Sequence, residues 1–287
     1  QSPDIAKGTT NKADTEPGWN DQGTYVGYAS NSSDNYLSLE HYLATSLGNF
    51  IYQTAKYYST LLGIDIKTLI QVEYNHEEPK VKGITVACPT IREVEDTGAI
   101  KNLIEIWKSS LSEKYSKMFG SEKIIINGTG TYHRHGSLGD SGLTGRKLVV
   151  NQCGNFAAGG SMIKPILASD RLLNLYARHL SLLVCKALKV PECQIELSAS
   201  IGQTYLESIR ISCKWLTEEQ KNKIEKYLMS IPVSPNILNN QWKTLEKNNY
   251  HEAVYNNFFG SDNYDIEPWE EIKEIEIINL CSTLKSV

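Results

Sequence analysis

The chain has 287 residues, of which 40% are hydrophobic and 22% charged, with a formal net charge of -4. That length suits roughly two compact units with buried cores, and that charge gives no basic field to draw nucleic acid or a polyanionic surface. No apolar run reaches the length of a membrane span, so neither nucleic acid nor membrane is an expected partner.

Residues 1–22 are polar, rich in Gly, Asp, Asn, Thr and Pro, and lack apolar periodicity, which predicts a loop. The chain opens Gln1-Ser2-Pro3-Asp4-Ile5 with no initiator Met and no signal peptide, so something upstream is expected to have been removed or to be a separate chain. Thr24 to Ala29 suits a short strand. Leu37, Leu39, Tyr42, Leu43, Leu47, Phe50, Ile51 and Ala55 form a helical stripe over 36–60. Thr68 to Tyr74 and Val81 to Cys88 read as strands joined by the polar turn Asn75 to Lys80, a hairpin. A helix is expected over 99–118 and a strand over Lys123 to Ile126.

The same order then returns. Leu148 to Val150 suits a strand, Asp170 to Leu188 an apolar helix, and Gln194 to Ile201 with Ser208 to Cys213 a strand pair. Thr217-Glu218-Glu219 signals the start of a helix over 217–229. The tail, 231–287, suits two short helices with aromatic loops and a packing anchor at Pro268-Trp269-Glu270. The fold class expected is α+β, with repeated units of mixed or antiparallel sheet and helices on one face. The divisions expected are a loop over 1–22, a first unit over 23–127, a second over 128–230 and the tail.

The six cysteines, Cys88, Cys153, Cys185, Cys193, Cys213 and Cys281, match neither a zinc spacing nor a compact disulfide framework. Most lie in apolar stretches, which predicts buried free thiols and a cytoplasmic setting.

The segment richest in chemistry is Gly139-Asp140-Ser141-Gly142-Leu143-Thr144-Gly145-Arg146-Lys147. Its glycines permit sharp turns and close backbone approach, and Arg146-Lys147 suits a polyanion such as a phosphate chain. The spacing is not that of a Walker loop, and by itself the segment also reads as a tight surface turn with solvated charges.

Gly139 to Lys147 resembles the most distinctive glycine-rich motif of the S-adenosylmethionine synthetase (methionine adenosyltransferase) family. Five further stretches resemble that family in order: Gln1 to Ile5, which is similar to the start of its active-site gating loop; Asp21-Gln22-Gly23 with Gly27-Tyr28-Ala29; Asp65-Ile66-Lys67; Gly159-Gly160 with Lys164 and Asp170-Arg171; and Phe258-Phe259-Gly260 with Pro268-Trp269-Glu270. The resemblance covers the family's C-terminal two-thirds. The family's His-Pro-Asp-Lys segment, with its catalytic His and magnesium-binding Asp, does not occur in these residues. The resemblance places the family's second phosphate-contacting Lys at Ala168.

The resemblance implies displacement at carbon: the methionine sulfur attacks C5' of ATP and expels triphosphate, which is hydrolysed to phosphate and pyrophosphate. It implies magnesium and potassium as cofactors, ATP and L-methionine as substrates, and a homo-oligomer or a hetero-oligomer with a chain carrying the His-Pro-Asp-Lys segment. A thioether needs no activating base, so the demand falls on alignment and on the charged leaving group.

Arg146, Lys147 and Lys164 would hold the phosphates as the catalytic cations. Asp170 would be a magnesium ligand or a helix N-cap. Asp140 would bind ribose or the methionine amino group, and Tyr132 would stack on adenine or be a strand Tyr. Gln1 and Asp21 would contact methionine or nucleoside. Lys67 would neutralise phosphate or be a surface Lys at a strand end. His133 and His135, at i and i+2, would share a strand face, as an altered nucleotide-pocket wall or as exposed side chains in preference to two ligands of a metal. A non-catalytic regulatory paralogue of the same family is the alternative reading.

Overall fold

A computed structural model describes residues 9, 16–57, 61–75, 78–91, 97–139, 141, 164–165, 167–242, 252–253 and 258–285. In chain order these form β1 (Gly23–Ser30), α1 (Leu39–Tyr57), β2 (Lys67–Glu73), β3 (Lys80–Ala87), α2 (Gly98–Ser110), α3 (Glu113–Ser116) and β4 (Lys123–Ile126). Then follow α4 (Ser169–Leu188), β5 (Glu192–Ala199), β6 (Ser208–Ser212), α5 (Glu218–Ser230), α6 (Pro235–Trp242) and α7 (Glu274–Lys285). Single 3₁₀ turns occur at Gly136–Leu138 and Pro268–Glu270. The architecture is the expected α+β, with two three-stranded sheets and helices packed on them. The strand expected over Leu148 to Val150 lies outside the described residues.

The chain divides into two compact units, Leu39–Leu143 and Gln1–Ser38 with Thr144–Val287. In the unit Leu39–Leu143, β2 pairs antiparallel with β3, and β3 pairs parallel with β4. The hairpin expected from the polar turn is therefore present. Along α1, Leu39, Leu43, Leu47, Ile51 and Ala55 repeat every four residues and are all buried, as a helix laid on a sheet requires. They close on Ile70, Val81, Ile84 and Val86 of the strands and on Ile100, Ile104 and Trp107 of α2.

The helix expected over 99–118 is instead two. Leu111 turns extended at ψ 151° and Ser112 follows at ψ 158°. The hydroxyls of Ser109 and Ser110 donate to the carbonyls of Glu105 and Trp107 (2.9 and 2.7 Å), competing with the helical ladder just before the break.

In the other unit the sheet order is β1-β5-β6, antiparallel throughout. β1, although it precedes the unit Leu39–Leu143 in sequence, belongs to the unit that holds residues 144–287. β1 leaves the strands that come next in sequence and pairs along its whole length with β5, Gly23 opposite Ala199 and Ser30 opposite Glu192. The physical reason is α4, whose residues from Ser169 to Cys185 are all buried and which needs apolar cover on every side. β1 supplies part of that cover at Gly27. A Cβ there would lie 2.0 Å from the carbonyl carbon of Ala177, so only glycine lets strand and helix backbones approach this closely.

Candidate functional site

The Gly139–Lys147 segment lies almost wholly outside the described residues, and so do Gln1, Asp140, Arg146 and Lys147. Of the segment, Gly139 and Ser141 are described. A Cβ on Gly139 would lie 2.9 Å from the carbonyl oxygen of Arg134, a close backbone approach that favours glycine.

Three expected site residues come together at the N-terminal end of α4. Lys164 places its Nζ 2.6 Å from Oδ2 of Asp170, with side chains 39% and 11% exposed. A turn brings this about: the N–H of Ala168 donates to Pro165 O, and the N–H groups of Arg171 and Leu172 both donate to Ala168 O. Asp170 therefore sits inside the first helical turn and is not the N-cap. Ala168 holds that position with no side-chain cap. The capping oxygen comes from far along the chain, because Oδ1 of Asn20 accepts the N–H of Ser169 at 2.8 Å. Asp170's carbonyl is held in turn by Nδ2 of Asn174 at 2.5 Å.

Asp21 belongs to the same neighbourhood. Its Oδ1 accepts the N–H of Gln22 at 2.9 Å. Beside it, the buried Tyr25 hydroxyl is raised above the ordinary phenol value, chiefly by burial, with the neighbouring Ser169 opposing the rise and the charges of Asp170 and Asp21 adding to it. Burial lowers the Arg171 guanidinium to about 9. The charges at this end are thus one acid–cation pair, a second acid and a buried guanidinium around the start of a long helix, where the N-terminal dipole also favours anions.

Asp170 offers a hard carboxylate oxygen that fits a magnesium ion completing its shell with phosphate oxygens and water. Among the described residues no group of three or more His, Cys, Asp or Glu could hold a metal ion, so these residues supply one anchor point and not a cage.

Lys67 and Tyr132 belong to the unit Leu39–Leu143. Lys67 is the exposed first residue of β2. Tyr132 is half-buried, outside any strand, and its carbonyl accepts the N–H of Thr90 at 3.1 Å. Burial raises its hydroxyl, with Asp65 and Cys88 adding to the rise. His133 and His135 are not in a strand either. Nδ1 of His133 is 2.8 Å from the carbonyl oxygen of Thr90, which can only accept, so Nδ1 carries the proton. His135 lies against Gly63, and Asp65 Oδ2 accepts the N–H of Gly136 at 3.0 Å. His133 and Arg134 are exposed and His135 is half-buried.

Sequence reasoning missed Asn20 and Tyr25. Asn20 carried a signal, since it adjoins Asp21. Tyr25 carried none, because an aromatic in a strand is ordinary core.

Two family models match this chain: the central domain of S-adenosylmethionine synthetase over residues 16–132 and its C-terminal domain over 134–271. The chain belongs to the S-adenosylmethionine synthetase family. It is 28% identical over 311 residues to the S-adenosylmethionine synthase of Picosynechococcus sp., covering 97% of this chain and 74% of that protein. It is 30% identical over 300 residues to that of Petrotoga mobilis, covering 96% and 72%. Among solved structures it is similar to an unusual S-adenosylmethionine synthetase from Campylobacter jejuni, with a TM-score of 0.79 and 25% identity, over 96% of this chain and 73% of that one.

Proposed function

We propose that this chain supplies the central and C-terminal parts of a methionine adenosyltransferase, making S-adenosylmethionine from ATP and L-methionine. The observation that carries the reading is the Lys164–Asp170 pair at 2.6 Å. A displacement that expels triphosphate needs cations on the leaving group and an oxygen anchor for magnesium beside them. Lys164, with Arg146 and Lys147, is assigned to the phosphate chain, and Asp170 to magnesium. Held together before substrate arrives, the two keep Lys164 aimed, so that little reorganisation remains when phosphate replaces the carboxylate as its partner. Magnesium, when bound, would draw charge from the departing phosphates. Tyr132 is assigned to the adenine, Asp140 to ribose or the amino group of methionine, Gln1 and Asp21 to methionine or nucleoside, and Lys67 to phosphate. Potassium rests on the family resemblance alone.

The reading requires the His-Pro-Asp-Lys segment from polypeptide outside these 287 residues. The test is to combine this chain with a polypeptide carrying that segment, add ATP, methionine, magnesium and potassium, and quantify S-adenosylmethionine. Lys164→Ala is expected to lower kcat/KM by about 10²-fold, the usual cost of losing one charge-stabilising group. Unchanged turnover in that variant would favour the second reading, a non-catalytic regulatory subunit. The observation on that side is Ala168, a buried methyl where the family resemblance places a phosphate-binding Lys.

A further inference from the structure

The end of the β1-β5-β6 sheet holds three cysteines that the proposed chemistry does not use. Cys185 on α4, Cys193 on β5 and Cys213 just past β6 are free and buried. The sheet register puts two of them opposite one another. β5 and β6 pair as Ile195 with Ile211 and Gln194 with Ser212, so the next pair along is Cys193 with Cys213. Both side chains fall on the buried face shared with Ile195 and Ile211.

The kind of pair follows from one hydrogen bond. The N–H of Ile211 donates to Oε1 of Glu225 on α5 at 2.8 Å. It therefore points away from β5, which makes Ile195–Ile211 a non-hydrogen-bonded pair. Pair types alternate along an antiparallel ladder, so Cys193–Cys213, two steps on, is also non-hydrogen-bonded. Such pairs bring Cα atoms to about 4.5 Å, within the span a disulfide bridges.

The thiol environment suits one sulfur as nucleophile. The neighbouring Cys193 side chain lowers the Cys213 thiol to about 6, against the cost of burial, while Cys193 itself is raised. The Cys213 Sγ lies 3.3 Å from Glu192 O. Cys185 is close but differently engaged, donating to Ala29 O at 3.5 Å, and burial raises its thiol to about 12.

We propose that Cys193 and Cys213 are a peroxide-responsive dithiol that closes to a cross-strand disulfide, pinning edge strand β6 to β5. The Cys213 thiolate attacks one oxygen of hydrogen peroxide, the O–O bond breaks, and hydroxide leaves and takes a proton as water. Cys213 is then a sulfenic acid. The Cys193 sulfur attacks the Cys213 sulfur, the S–O bond breaks, and the departing hydroxide takes the Cys193 proton as a second water. Two thiols and one peroxide give one disulfide and two waters, the sulfurs losing the two electrons that the peroxide oxygens gain. Cys193 stands directly opposite, so ring closure outruns further oxidation of the sulfenic acid.

The test is to treat the purified chain with hydrogen peroxide, block remaining thiols under denaturing conditions, and map peptides by mass spectrometry without reduction. The expected result is one cross-linked peptide joining Cys193 to Cys213, two mass units lighter than the sum of its parts and separated by dithiothreitol. Cys185→Ser should leave the cross-link in place, and Cys213→Ser should abolish it. Recovery of Cys213 as a free thiol or as a sulfinic acid without cross-link would overturn the proposal. A disulfide from Cys213 to Cys185 would do so as well. The wild-type map decides the matter even where a variant fails to fold.

Discussion

Arg178 has no exposed surface, and all five of its donors are engaged. Nε and Nη2 grip the Glu270 carboxylate at 2.9 and 2.8 Å, Nη1 bonds the carbonyls of Tyr28 and Tyr36 at 2.7 and 2.8 Å, and Nη2 reaches Asn35 O at 3.1 Å. Removing one partner of a buried pair strands the other charge, so Arg178→Met should cost about 3–5 kcal/mol in urea unfolding. A loss below about 1 kcal/mol would contradict this account of the network. Beside the pair sits Glu267, fully buried, with Oε1 lacking a hydrogen-bond partner. Burial first, then the Glu270 charge, pushes its carboxyl up to about 8 from 4.5. The folded state therefore keeps a proton that the unfolded state releases, and stability falls as pH rises across the window between those two values. Glu267→Gln should remove that slope, with a gain on the order of a few kcal/mol at pH 8.5 and little change at pH 4. Melting temperatures at the two pH values check it; a parallel shift at both would contradict the assignment. None of this was readable in the sequence. An Arg amid the apolar residues of 170–188 is visible, but its partners lie 92 to 150 positions away.

Helix α5 is the element most fully written in local sequence. Thr217 accepts the N–H of Gln220 at 3.2 Å and Gln220 returns the bond to the N–H of Thr217 at 2.9 Å, a closed capping box. Thr217→Ala should cost about 1 kcal/mol in chemical denaturation. The start of α4 is the contrast. Its cap is Asn20, 149 residues earlier, so local reading offered Asp170 as a possible cap when it lies within the first turn. Where β1 crosses α4, Gly27→Ala should cost about 1–3 kcal/mol, the range of an overpacked core. Trimming the neighbour with Ala177→Gly should not restore it, because the clash is with backbone atoms. Full recovery in the double variant would contradict that geometry. The break between α2 and α3 was masked by an apolar stripe that continues through Leu111 to Met118, while the competing serine hydroxyls act only once the helix has formed.

For the whole molecule the unit boundaries make a distinct prediction. The fragment 39–143 contains all the strands and helices of its own core cluster, and should unfold cooperatively in urea when produced alone. The fragment 128–230 lacks β1, Asn20 and Glu270, and should stay uncooperative and protease-sensitive. A folded fragment 128–230 would contradict the pairing of β1 with β5. Periodicity along the chain determined nearly all helices and strands, because burial of one face every two or every 3.6 residues is a local constraint. Ordered motifs likewise determined the family, and with it the candidates for the phosphate and magnesium roles. Only the tertiary structure decided that β1 serves the far end of the chain, that Asn20 caps α4, that Lys164 meets Asp170, and that Cys193 faces Cys213. The first two depend on which surfaces must be covered at once when α4 is buried on all sides, a condition that joins residues more than a hundred positions apart and that no stretch of neighbouring sequence carries.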